Sequence, residues 1–275
     1  MAKILFRRLI LVLAAVLLSA AIPALTHANH SWGGYHWART TGSFTLKLGD
    51  NVSSAWDGYL AEASSEWSVS SVLDTAIVAG AVSRVKKCQP TSGRVEVCSS
   101  TYGNNGWLGI AQIWISGLHI TQGGVKLNDT YFNTAKYNTP AWRRLVMCQE
   151  IAHTSGLDHQ DETFGNPNLG TCMDYTNDPD GTLANPDQVS NEYPNQHDYD
   201  ELVDIYTHLD SATTVKQALR NNANRRETSG GELGTGQWGK LRRSTNRGRT
   251  ELYELDLGRG RKVLTHVIWA EPEEE

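Results

Sequence analysis

Hydrophobic and polar positions alternate or recur along most of this chain with a readable period. The stretch SFTLKLGD from Ser43 alternates as a strand. Trp56, Tyr59, Leu60, Ala63 and Trp67 then recur at helical spacing. Apolar, β-prone runs follow at 73–82, 94–98 and 107–120, each bounded by Gly or Asn. Together these predict a mixed sheet packed on the first helix, with the aromatic and valine stripes as its core. A second helix is announced by Thr139 as N-cap and Pro140 at its first position. Its apolar stripe of Trp142, Leu145 and Val146 carries on into Gln149 and His153, so Gln149 falls on a buried face and needs a polar partner there.

Downstream, 177–195 is rich in Asn, Asp, Pro and Gly and reads as a loop. A last helix follows, with Tyr199, Leu202, Val203, Tyr206 and Leu209 on one face. Beyond Asp210 the character changes to a basic, Gly-, Asn- and Ser-rich stretch, read as a flexible linker over 211–249. The segments TELYELDL and KVLTHVIWA predict a small β-hairpin at 250–275.

Composition changes the picture at one end. Lys3, Arg7 and Arg8 precede an apolar run from Leu9 to Leu25, and Thr26-His27-Ala28 supplies a small-x-small cleavage site, so 1–28 reads as a secretory signal. The expected product is a secreted, extracellular protein with no membrane attachment once the signal is removed. The signal holds three cations and no acid, so the exported chain is more acidic than the whole-chain net charge of −5, which disfavours nucleic acid as a partner. The four cysteines, Cys88, Cys98, Cys148 and Cys172, all lie in the exported part, and an even number there implies two disulfides among three possible pairings.

The chemistry concentrates in QEIAHTSGLDH, Gln149 to His159. Apart from Gln149 in place of the first histidine, this matches HExxHxxGxxH. In that pattern two helical histidines and a third beyond a glycine bind zinc, and the glutamate acts as general base. TCMDY, Thr171 to Tyr175, lies a plausible distance beyond. On these two motifs the region from about Ser43 to Leu209 resembles the metzincin clan of zinc metallopeptidases, in its matrixin, astacin and serralysin-like forms. The resemblance implies an α+β domain over 29–210: a twisted mixed sheet, an active-site helix, a Met-turn at Met173 and a C-terminal helix, with the hairpin as an extension. It implies Zn2+ on His153 and His159, Glu150 taking a proton from a zinc-bound water, and Tyr175 as a transition-state donor. Of the three pairings, Cys88–Cys98, which closes a short loop, and Cys148–Cys172, whose members directly precede Gln149 and Met173 and would join the ligand helix to the Met-turn, are favoured.

The third ligand is open. Gln149 could act weakly or through water, Asp161 could supply a carboxylate, and His197 is a further candidate beside its blander reading as a core or capping residue. His119 reads as structural. Asp174, Asn177, Asp178 and Asp180 could hold Ca2+, although Pro and Gly already explain a turn there. The expected function is a secreted, monomeric zinc endopeptidase that cleaves a peptide or protein substrate laid along an edge strand within 107–120. The alternatives are a pseudoprotease serving as a peptide-binding module, and an exported protein whose metal is only structural.

Overall fold

The computed structural model describes residues 30–184, 186–215, 236–245 and 248–271. The signal segment and most of the basic stretch lie outside the described residues. No described helix is long and apolar enough to cross a membrane.

The architecture is α+β. Strands β1 (His36–Trp37), β2 (Phe44–Asn51), β3 (Leu73–Ala79), β4 (Val95–Ser100), β5 (Trp107–Ser116) and β6 (His119–Asn128) precede the main helix, and β7 (Lys240–Thr245), β8 (Thr250–Gly258) and β9 (Arg261–Trp269) follow the last one. They form a single sheet in the order β3-β2-β4-β6-β5-β9-β8-β7, with β1 paired to β6. The β2, β3, β4 and β6 pairings are parallel, while β5 runs antiparallel to both β6 and β9. The run read as one stretch over 107–120 is therefore a strand and the start of its hairpin partner, turned at Gly117.

Two sequence expectations are corrected here. The C-terminal hairpin is no appendage, because β9 lies along β5 from Trp107 opposite Trp269 to Ser116 opposite Arg261. The stretch read as linker contributes β7, which pairs with β8. An apolar strand such as KVLTHVIWA cannot leave both faces and an edge in water. Pairing with β5 buries Val263 to Ile268 without a break.

Helix α1 (Asp57–Trp67) buries Leu60, Ala63 and Trp67, and α3 (Pro140–His153) packs against both α1 and β5. A short α2 (Asp129–Phe132) and α4 (Gln196–Ile205) complete the helices of the described residues. Thr139 caps α3 by accepting the Trp142 N–H, with Pro140 behind it, as the sequence predicts. In and after α4, Leu202, Ile205 and Tyr206 are buried, whereas Val203 and Leu209 are exposed. The core runs from Trp37, Trp56 and Trp67 through Val97, Ile113 and Val125 to Val146, Ile151 and Leu264. On the opposite face, Trp107, Ile110, Trp238 and Val267 form a second, small cluster that anchors the C-terminal strands. Cys88 is bonded to Cys98 and Cys148 to Cys172.

Candidate metal centre

Helix α3 aims Glu150 and His153 at the sheet, and Gly109 on β5 makes room for the carboxylate. A Cβ at Gly109 would stand 2.7 Å from Glu150 Oε1, so any larger residue would push the acid out of place. The helix ends at His153, and the chain turns at Gly156 with φ +105°, where a Cβ would come within 2.2 Å of the Tyr35 carbonyl oxygen. That turn requires glycine on both counts. It returns the chain so that His159 faces His153, their Nε2 atoms 3.1 Å apart.

The third member is His266, from β9. Its ring centroid lies 4.1 Å from that of His153 and 4.7 Å from that of His159. One nitrogen from each of the three imidazoles falls within a sphere that a single metal ion could bridge. His153 Nδ1 lies 2.9 Å from the Leu157 carbonyl, and His159 Nδ1 lies 3.1 Å from Glu162 Oε1. Both partners accept, so each Nδ1 carries a proton, and the neutral form of each ring is the one with a bare Nε2 turned inward, the tautomer a metal requires. Both nitrogens of His266 are buried without a hydrogen-bond partner. An imidazole left in that state is costly unless something electrophilic meets it.

Glu150 has neither oxygen hydrogen-bonded, and its Oε2 lies 3.5 Å from His266 Nδ1. Glu150, His153 and His266 are each 0% exposed. Burial alone pushes the Glu150 carboxyl well above its usual range. Burial, reinforced by the neighbouring imidazole of His159, pushes His153 well below its own, and burial does the same to His266. Three imidazoles crowded beside a buried carboxyl group are poor company for one another and good company for a dication. Zn2+ fits this donor set.

A supporting layer surrounds them. Trp32 stacks on His153 with centroids 4.8 Å apart, its backbone N–H donating to the Gly156 carbonyl at 2.9 Å. Tyr175 packs edge-on to His159 at 4.7 Å, and its buried hydroxyl lies against Thr250 without a well-formed hydrogen bond. Arg243 on β7 reaches both oxygens of Asp158, at 2.7 and 2.5 Å, and Glu162 at 3.1 Å. Burial raises the Asp158 carboxyl, but this guanidinium outweighs it and brings the group down to about 2.

The other sequence candidates sit elsewhere. The Gln149 amide N–H donates to the Cys172 carbonyl at 2.8 Å, which ties α3 to the segment holding Met173, while its Oε1 is buried without a hydrogen-bond partner. Asp161 accepts from the Thr163 N–H and the Asn166 amide. His197 stacks on His30 at 5.0 Å, inside α4. The structure therefore gathers His266 with His153 and His159, and brings neither Asp161 nor His197 to them. The calcium expectation gains no support. Asp178 accepts from the Leu183 and Ala184 N–H groups, Asp174 from the Leu169 N–H, and Asp180 from Thr182, so these carboxylates shape their loop. The one available signal for His266 was a lone polar ring within an apolar strand.

No family model and no curated protein matches the chain. Among solved structures, high choriolytic enzyme 1, a hatching-enzyme zinc protease from Oryzias latipes (medaka fish), is similar at a TM-score of 0.35 and 12% identity, over 66% of this chain and 98% of that one. So distant a likeness carries no weight for function, which rests on the residues themselves.

Proposed function

We propose that this protein is an exported zinc metallopeptidase of the metzincin kind, with His153, His159 and His266 as ligands and Glu150 as general base. The observation that carries this reading is the convergence of three buried imidazoles, two of them proton-fixed for ligation, beside a buried carboxyl group with no other partner. Zinc held there would supply Lewis acidity, polarising a scissile carbonyl and making water a nucleophile near neutral pH. The Glu150 carboxylate, favoured in its ionised form beside a dication, would take the water proton and pass it to the leaving amine. Tyr175, whose hydroxyl is otherwise uncommitted, would donate to the developing oxyanion.

One observation favours a second reading. The peptide was expected along β5, but β9 fills that edge and Glu150 is enclosed. A substrate reaches the carboxylate only if this covering gives way; otherwise the centre is a structural one in a peptide-binding or interaction module.

Zinc analysis and degradation of an unfolded protein separate the two. On the first reading, His153→Ala lowers zinc content by about one ion per chain and ends cleavage, since a catalytic site rests on three protein ligands. Glu150→Gln keeps the zinc and ends cleavage. Zinc retention with no cleavage by the wild-type chain would leave the module reading.

A further inference from the structure

A second set of histidines converges away from this centre. His36 on β1, His119 at the start of β6 and Asp210 in the segment after α4 converge from three parts of the fold, and His208, two residues before Asp210, lies against His36 and Asp210. The Nε2 atoms of His36, His119 and His208 lie 3.5, 3.0 and 3.7 Å from Asp210 Oδ1. His36 Nε2 and His208 Nε2 are 3.2 Å apart. Ligand atoms about 2.0 Å from a tetrahedral zinc ion stand roughly 3.3 Å from each other, and these separations straddle that edge length.

Proton placement agrees with the distances. His36 Nδ1 lies 2.8 Å from the Gly34 carbonyl, so in the neutral ring it carries the hydrogen and Nε2 is bare. Asp210 spends Oδ2 on the Arg39 N–H at 2.9 Å, which fixes the carboxylate and leaves Oδ1 for the three rings. A single carboxylate oxygen is a crowded acceptor for three imidazoles, two of which direct nitrogens at each other. A cation at their centre satisfies all four donors at once. The rings are set for it, with His36 edge-on to His119 at 83° and to His208 at 86°.

We infer that His36, His119, His208 and Asp210 form a second metal site that takes a divalent transition-metal ion, zinc being the best match to three imidazoles and a carboxylate. Four protein ligands leave no open position, so this ion holds and does not catalyse. It joins β1 and the segment after α4 to the sheet at β6. The chain ahead of β1 carries Trp32, so the ion also steadies the ring stacked on His153. None of its ligands belongs to the first centre, and the inference stands whether or not that centre is catalytic.

The test is metal analysis of the full chain with diffraction at the zinc absorption edge. His119 and His208 are 40% and 55% exposed in their side chains, so His119→Gln/His208→Gln should fold as the parent does. The expected results are an anomalous peak between the three rings and Asp210 in the parent, loss of about one zinc per chain in the double variant, and a lower thermal midpoint for that variant. His266→Ala should keep this peak while losing the other. An unchanged zinc content in the double variant, or density at His153 and His159 alone, would overturn the site.

Discussion

At the level of single residues, the proposed reading gives His266 the place in which Gln149 was expected. The Gln149 amide N–H ties α3 to Cys172, while His266 approaches from a strand and would act as the third ligand. The helix still presents position 149 four residues before His153, on the same face. This yields a rescue experiment. His266→Ala should abolish tight zinc binding at the first centre, and adding Gln149→His should restore much of it, since the new imidazole would share that face with His153. Gln149→His alone should change affinity little and cost about 1 kcal/mol through the lost amide tie. Zinc titration of the metal-free variants reads all three, and failure of the double variant to regain affinity would place position 149 outside the centre's reach. Tyr175→Phe should keep zinc and lower turnover on the order of 10²-fold, the usual effect of losing one transition-state donor.

Among elements, the C-terminal strands do the most to hold the centre in shape. Arg243 brings β7 to Asp158 and Glu162, the residues flanking and supporting His159. Removing the cation strands a buried carboxylate, but the guanidinium is partly exposed and screened, so Arg243→Ala should destabilise the fold by about 1 to 2 kcal/mol at neutral pH. The sign with pH is fixed by the depressed carboxyl. Asp158 falls from 3.8 to about 2 on folding, so the pair contributes above the unfolded value and its contribution disappears as pH drops through about 2. The deficit of Arg243→Ala should therefore narrow below about pH 4, in denaturant unfolding repeated across that range. A deficit constant with pH would mean that Arg243 acts through packing alone. The first helix and the strand from Phe44 were legible through their periods and the helix from Pro140 through its cap as well, whereas the turn at Gly117 inside 107–120 was not. Nor was the joining of β9 to β5, since a hairpin's local pattern says nothing about which edge it will cover. His266 was lost with it, because a ligand on a strand acquires its neighbours only through that pairing.

For the molecule as a whole, the first centre draws on α3, the turn after it and the last strand, with Cys148–Cys172 fastening α3 to the segment that carries Tyr175. Reduction should therefore release zinc before the sheet unfolds, a sequence that zinc release and far-ultraviolet circular dichroism followed together would show. Simultaneous loss would mean that the bridge holds the fold as much as the site. The same arrangement governs when the centre comes into being. His159 and His266 are separated by the whole of α4 and two strands, so their meeting is a long-range closure that local structure cannot hasten. On the proposed reading, a chain emerging during synthesis or export has its glutamate and two histidines well before it has a third. It is chemically harmless to its surroundings until β9 slots in beside β5, and the order of residues along the chain thereby sets the moment at which hydrolysis can begin.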